Sequence, residues 1–323
     1  MTRARQAGTM RPAWITWQVH RRTREIARAM GFALHELLPD RAGPGKYPSL
    51  VGRTLRVLRR RRPTHLIVQC PSVVLGVLAA TLRPLLGFRL IADLHNEAVQ
   101  PFNYSGAAYL AAIRRIHRSA DLGLVTNAGL ETTVENNGGH PFVLPDRIPC
   151  LTPALRELND RRVTFVCTYA PDEPWREVLK ASSLLPPGTT VAVTGRPPRE
   201  AELLAGSRVH LTGFLDDDNY VDLLASSAVI MDLTAMPDCL VCGGYEAVAL
   251  GRPLVTSDTA ALRSYFRRGT VYTSHAPVAL AAAVEHALGR RSELERQVPV
   301  LASELRSDWD ARASTLARLL EEM

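Results

Sequence analysis

A chain of 323 residues, 46% hydrophobic and 22% charged, is globular and long enough for one large domain or two of ordinary size, which excludes wholesale disorder. Lys and Arg number 39 against 32 Asp and Glu. The resulting net charge of +7 favours anionic partners (nucleotide phosphates, acidic membrane surfaces, nucleic acid) without choosing among them.

From the N-terminus, Arg3, Arg5 and Arg11 have no apolar run behind them, so no secretory signal is expected. "AWITW" (13–17) predicts a strand, followed by a polar helix in "RRTREIARAMG". The basic run "RTLRVLRRRRP" (53–63) reads as a solvated helix face. Its functional reading is a docking face for anionic phospholipid, with Leu55, Val57 and Leu58 on the apolar side. "THLIVQC" (64–70) predicts a strand leading into the apolar "VVLGVLAATLRPLLG". Arg83 and Pro84 interrupt that segment, and it is shorter than the roughly 20 residues of a spanning helix. Strand "FRLIADLHN" (88–96), helix "AAYLAAIRRIHRSA" (107–120), and strands "DLGLVTN" (121–127) and "PFVLPD" (141–146) follow. Two prolines and a charge cluster mark a linker at 147–162.

The alternation resumes with strands "VTFVCTY" (163–169), "TTVAVTG" (189–195), "RVHLTGF" (208–214), "AVIMDLT" (228–234), "PLVTSD" (253–258) and "TVYTS" (270–274). Helices fall between them in "PWREVLKASSLL", "NYVDLLASS", "GYEAVALG" and "PVALAAAVEHALGRR". Leu305, Trp309, Leu316 and Leu320 share one face of a closing helix. Short apolar strands alternating with helices read as βαβ units, so the class is α/β, with parallel sheets covered on both faces in two successive halves.

Open parallel sheets bind ligands at the carboxyl ends of their strands. The polar residues there are Gln18, His20, Arg21 and Arg22, then Gln69, His95, Asn96, Asn127, Tyr169, Gly195, Arg196 and Gly213. His95 there is a ligand group or a solvated core-edge histidine, and His20, Arg21, Arg22 and Arg24 either meet an anionic ligand or charge a helix start. No G-x-G-x-x-G follows the first strand, so dinucleotide binding has no support. "DDD" (216–218) precedes "NYVDLLASS", where acids suit a helix N-terminus better than a metal. The five scattered cysteines (Cys70, Cys150, Cys167, Cys239, Cys242) do not form a secreted disulfide framework. Cys239 and Cys242 make one Cys-x-x-Cys, with neither a second pair nor nearby histidines to complete a zinc site. Nucleic acid is not an expected partner, since no binding module is recognisable and aromatic residues are only 6%.

In "DCLVCGGYEAVALGRPLVTSD" (238–258), Glu246 sits between Tyr245 and an apolar run. It is either a first-turn charge that favours the helix dipole or a carboxylate kept to grip something polar. Asp238 and Glu246 are separated by seven residues. This stretch resembles the Glu-x7-Glu region of retaining GT-B glycosyltransferases, especially glycosyltransferase family 4. The matches are Glu246-Ala247, Ala249-Leu250-Gly251, Pro253 and Leu254-Val255-Thr256-Ser257, with Asp238 as a shortened first acid. "VHLTGFLDDDNYVDLLASSAVIMDLT" and the closing helix with Trp309 extend the resemblance over the C-terminal half; the N-terminal half matches in layout and at His95.

The resemblance implies two Rossmann-like domains facing each other across a cleft. Residues 1–155 would bind the acceptor, 156–302 the nucleotide sugar, and the helix 303–323 would pack back on the first domain. It implies sugar transfer from a nucleoside-diphosphate sugar to an acceptor hydroxyl with retention, in polysaccharide, glycolipid or glycosylated-metabolite synthesis, with no metal and no cofactor. Glu246 would hold the ribose hydroxyls through two charge-assisted hydrogen bonds, each about 1.5–3 kcal/mol. Asp238 and His95 would meet the donor sugar; the backbone of Cys242, Gly243 and Gly244 and the pair Gly213-Phe214 would line its site. His20, Arg21, Arg22 and Asn96 would face the acceptor or the phosphates. The family's phosphate-binding Arg and Lys are missing from "FVCTYAPDEPWREVLKAS", which leaves Arg176 and Arg196 as the candidate cations. The alternatives are a glycosyltransferase-like subunit that binds without turnover and another nucleotide-sugar enzyme such as an epimerase. A soluble cytoplasmic protein is expected, with peripheral contact to an anionic membrane.

Overall fold

The computed structural model describes residues 10–102, 106–154 and 157–323. The chain divides into two compact units, Met1–Asp146 with Trp309–Met323, and Arg147–Asp308.

The first unit runs β1 (Pro12–Thr16), α1 (Arg21–Ala29), β2 (Ala33–Glu36), α2 (Tyr47–Arg61), β3 (His65–Cys70), α3 (Val73–Leu86), β4 (Arg89–Leu94), α4 (Ala107–Ser119), β5 (Leu122–Val125), α5 (Ala128–Asn136) and β6 (Pro141–Val143). Its sheet is parallel throughout, in the order β2-β1-β3-β4-β5-β6. Every residue of β3 is buried, because helices cover both faces of a parallel sheet. Leu50, Leu58, Leu75, Ala79, Ile116 and Leu130 of α2 to α5 form the core on one face. Ile26 and Ala27 of α1 join Trp309, Leu316 and Leu320 on the other.

The second unit runs β7 (Asn159–Phe165), α6 (Trp175–Ser182), β8 (Thr190–Thr194), α7 (Arg199–Leu204), β9 (Val209–Gly213), α8 (Asp217–Ala225), β10 (Ser227–Asp232), α9 (Cys242–Leu250), β11 (Leu254–Ser257), α10 (Ala260–Tyr265), β12 (Thr270–Thr273) and α11 (Pro277–Gly289). Its parallel sheet has the order β12-β11-β10-β7-β8-β9. The last helix, α12 (Arg291–Glu322), gives Val298, Leu301 and Leu305 to this unit's core and Trp309, Leu316 and Leu320 to the first unit's.

Several expectations need correction. The closing helix begins at Arg291, not 303, and runs through Pro299. β7 starts inside the expected linker, at Asn159. The short elements β2, α5, α7 and α10 carry too little periodicity to be seen in sequence. Leu58 of α2 is 3% exposed and Val57 packs against the same core, so the helix's apolar side faces the sheet and not a membrane. Asp216 caps α8 by accepting from the Asn219 N–H at 2.9 Å. Among the described residues no helix is long and apolar enough to cross a membrane.

Trp309 is 4% exposed, and its indole N–H donates to the Pro145 carbonyl at 3.1 Å. Trp309→Ala is expected to lose about 3–5 kcal/mol of unfolding free energy in a urea titration. A loss under about 1 kcal/mol would show that the helix end is not part of this core.

Candidate functional site

In the first unit, polar side chains gather at the carboxyl ends of β1, β3 and β4. Thr16 ends β1, Gln69 lies one residue from the end of β3, and Asp93 one from the end of β4. The Thr16 hydroxyl donates to the Gln69 side-chain oxygen. Arg22, one residue into α1, is 3% exposed and donates to Asp93 at 2.9 Å, Asp146 at 2.7 Å and the Leu144 carbonyl at 2.9 Å. Burial by itself raises a carboxyl, but the Arg22 guanidinium and the His95 ring outweigh it and hold Asp93 well below the usual carboxylate range.

His95, directly after β4, has its Nε2 3.3 Å from Asp93 Oδ2 and 3.5 Å from the Gln69 amide nitrogen. Its side chain is 15% exposed. The His20 ring meets it edge-on, with centroids 4.5 Å apart. Burial pushes the His20 imidazole down to about 4, helped by His95 and Arg22 and opposed by Asp146 and Asp93. His20 is therefore neutral near pH 7, and its burial makes it a weak base. Arg21 is exposed at the start of α1, and Asn96 is half-buried in the turn after His95. Of the acceptor-side candidates, the structure brings His20 and Arg22 together with His95, the residue expected to meet the donor sugar. Arg22 is too enclosed to meet an anionic acceptor directly and acts on Asp93 instead.

In the second unit the corresponding ends carry acids. Glu173 folds back on the loop between β7 and α6 and accepts from the Thr168 N–H at 2.8 Å, the Ala170 N–H at 2.8 Å and the Thr168 hydroxyl at 2.9 Å. Tyr169, between those two N–H groups, adopts a left-handed φ of 62°. Gly195 faces this loop; with φ +84°, a Cβ there would lie 2.3 Å from the Cys167 carbonyl oxygen, so only glycine fits.

Asp232 ends β10 and is 6% exposed, and its Oδ2 accepts from the Gly243 N–H at 2.6 Å. Burial pushes its carboxyl well up, the Gly243 bond opposes this, and Glu173, Glu246 and Asp172 add to it. Glu246 lies one turn into α9, is 5% exposed, and accepts from the Tyr220 hydroxyl of α8 at 2.5 Å. Burial and Glu246 together raise the Tyr220 phenol, which keeps it a donor.

The remaining candidates are spread around these strand ends. Asp238 is half-buried in the turn before α9, and Cys242 is the exposed first residue of that helix. A Cβ at Gly243 would lie 2.7 Å from Asp232 Oδ2, and one at Gly244 2.6 Å from the Phe266 ring. Packing within the unit thus already requires both glycines. Arg176 stacks 4.0 Å over the Trp175 ring and pairs with Glu200 at 2.6 Å on the exposed surface, so its charge is matched within the chain. Arg196 lies 5.2 Å over the exposed Phe214 ring, beside the Gly195–Gly213 bridge, with no carboxylate within ion-pair distance among the described residues. Sequence reasoning missed Asp93, Glu173 and Asp232. Asp93 and Asp232 carried a signal, a lone carboxylate at the carboxyl end of an apolar strand; Glu173 carried none.

No family model matches the chain, and a search of curated proteins finds no match. Solved structures are similar over nearly the whole length. HepE of Anabaena, in complex with UDP and glucose, superposes with a TM-score of 0.73 at 14% identity, over 96% of this chain and 92% of that chain. Sucrose-phosphate synthase from Thermosynechococcus elongatus gives 0.75 at 16%, over 97% and 98%. A glycosyltransferase from Rickettsia africae gives 0.71 at 11%, over 98% and 99%. At such identities the likeness shows the fold, and that fold is GT-B.

Removing Arg22 would strand a buried charge. Arg22→Met is expected to cost about 3–5 kcal/mol, and the double variant with Asp93→Asn less than the sum of the two singles. Additive losses in urea titrations would refute the pairing. The folded His20 value of about 4 lies below its ordinary 6.5, so its contribution is complete above pH 6.5 and is lost as pH falls towards 4. The full contribution is about 3 kcal/mol. His20→Gln should therefore flatten the fall in stability between pH 7 and pH 4; parallel curves for parent and variant would contradict it.

Proposed function

We propose that this chain is a glycosyltransferase that moves a sugar from a nucleoside-diphosphate sugar to an acceptor hydroxyl, with retention, in the manner of glycosyltransferase family 4. The observation that carries the reading is Glu246, a buried carboxylate beside the carboxyl end of β10, held by Tyr220 within a GT-B fold. HepE of Anabaena, which shares this fold, has been solved with UDP and with UDP-glucose. A carboxylate held in one orientation is suited to accept both hydroxyls of a ribose, because its acceptor geometry is set before the ligand arrives.

In this reading the second unit binds the donor. Glu246 holds the ribose, Asp238 the sugar hydroxyls, and Arg196 with Gly213 and Phe214 the remaining nucleotide, including its diphosphate. Arg176 is reserved for Glu200. The first unit binds the acceptor, with His95 and His20 near the reacting hydroxyl. No residue acts as nucleophile; the chain aligns the acceptor and stabilises the departing diphosphate. The acceptor is a carbohydrate, a lipid-linked sugar or a small molecule, and peripheral contact with an anionic membrane brings the chain to lipid-linked acceptors.

A second reading, binding without turnover, is favoured by one observation. Glu173 and Asp232 occupy backbone N–H groups of the loop after β7 and of the first turn of α9, where a diphosphate would otherwise find donors. Nucleotide release from nucleotide sugars, with and without acceptor extracts, separates the two. Release that rises with acceptor supports transfer; binding without release supports the second.

Glu246→Ala is expected to weaken donor-nucleotide binding by about 2–4 kcal/mol, from two charge-assisted hydrogen bonds, and Glu246→Gln by roughly half of that. Titration calorimetry on folded variants measures both. Affinity equal to the parent's would remove Glu246 from the ribose role.

A further inference from the structure

The peripheral contact proposed above leaves open which surface makes it, and the layout of the first unit points to one. The steps β2→β3, β3→β4 and β4→β5 run in the same direction along the sheet, so α2, α3 and α4 lie side by side on one face. None of these three helices contains an Asp or a Glu. Arg56, Arg59, Arg60 and Arg61 of α2 and Arg114, Arg115 and Arg118 of α4 are exposed. Among the described residues none of these seven lies within ion-pair distance of a carboxylate. The next helix on that face, α5, carries Glu131 and Glu135, which ends the acid-free zone.

Between the two basic helices, α3 turns apolar side chains outward. Leu85 is 76% exposed, Leu86 50% and Val74 39%. Their helix is almost wholly apolar, and its one cation, Arg83, is paired with Asp121. The outer surface of this layer is therefore an apolar ridge flanked on both sides by unmatched guanidinium groups.

We propose that the α2–α3–α4 face docks on an anionic lipid bilayer, with Leu85 and Leu86 entering the headgroup boundary and the arginines lying over lipid phosphates. A bilayer offers the two chemistries that this face presents, a layer of negative charge above an apolar interior. A polyanion without an apolar phase would leave the leucines against water or phosphate. The apolar contribution thus comes from α3, and α2 supplies charge alone.

The test is co-sedimentation of the full chain with vesicles of phosphatidylcholine alone and of phosphatidylcholine mixed with phosphatidylglycerol, at low and high salt. Donor-nucleotide binding and thermal melting are followed in parallel. Binding to the anionic vesicles only, weakened by salt, is expected. Arg59→Glu/Arg60→Glu should lower it at least tenfold, and Leu85→Ser/Leu86→Ser several-fold, with nucleotide binding and melting unchanged. If the α2 variant melts early, Arg114→Ser/Arg115→Ser on α4 carries the same test. No binding, equal binding to neutral vesicles, or charge variants that bind like the parent would overturn the docking face. Unchanged binding by the leucine variant would overturn the insertion. Vesicle binding that persists in a chain unable to bind any nucleotide sugar would sink the donor reading and leave this one standing.

Discussion

The guanidinium of Arg22 is the group around which the first unit's site is organised. It is buried where α1 begins, and reaches Asp93 at the end of β4 and Asp146 beyond β6. Three stretches far apart in sequence are tied to one side chain. A buried charge of this kind is stable only when fully matched, so the ends of the strands have little freedom to move apart. Through Asp93 the constraint passes to His95, whose Nε2 the carboxylate faces, and through His95 to the edge-on ring of His20. The ionised Asp93 and the neutral His20 are two consequences of the same packing: one group is buried with its counter-charge and the other with a second imidazole as well.

The second unit solves the same topological problem with opposite chemistry. Its strand ends are lined by Asp232, Glu246 and Glu173, and the chain's own N–H groups satisfy two of them. The consequence is visible in the glycines. Gly243 leaves room for Asp232, Gly244 for the Phe266 ring, and Gly195 for the turn that Glu173 holds. A glycine-rich segment next to a carboxylate can be read as an open cradle for a ligand. Here the same segment is also a closed fit between neighbouring parts of one unit, and any ligand must be accommodated beside it.

Charge is distributed just as unevenly over the surface. The excess of basic residues is not a diffuse property of the chain, because it concentrates on helices that lack acids and stand together on one face of one sheet. Inside the first unit's site, by contrast, the buried arginine is matched: Arg22 lies against Asp93 and Asp146. Among the described residues the same residue type thus serves as a buried tie at Arg22 and as charge without a carboxylate partner on the exposed sides of α2 and α4.

The sequence by itself determined the fold class and most of the strands. Runs such as "HLIVQC" and "SAVIMD" are fully buried on a parallel sheet and must be apolar at nearly every position, a pattern visible without coordinates. It also singled out Glu246, whose carboxylate stands out from apolar surroundings, and the residues just past each strand, because topology alone sends ligands there. It was silent on α5, α7 and α10, on the passage of α12 through Pro299, and on Glu173, which has no periodic signature in its loop. Partnership was decided only in three dimensions. Arg176 and Arg22 are both arginines near a helix start, yet one ends in a surface pair with Glu200 and the other in a buried pair with Asp93. A cation's role depends on which carboxylate lies within about 3 Å of it, and that carboxylate comes from a distant part of the chain. Local sequence records propensity and pattern; the neighbours that set charge state and orientation are chosen by packing.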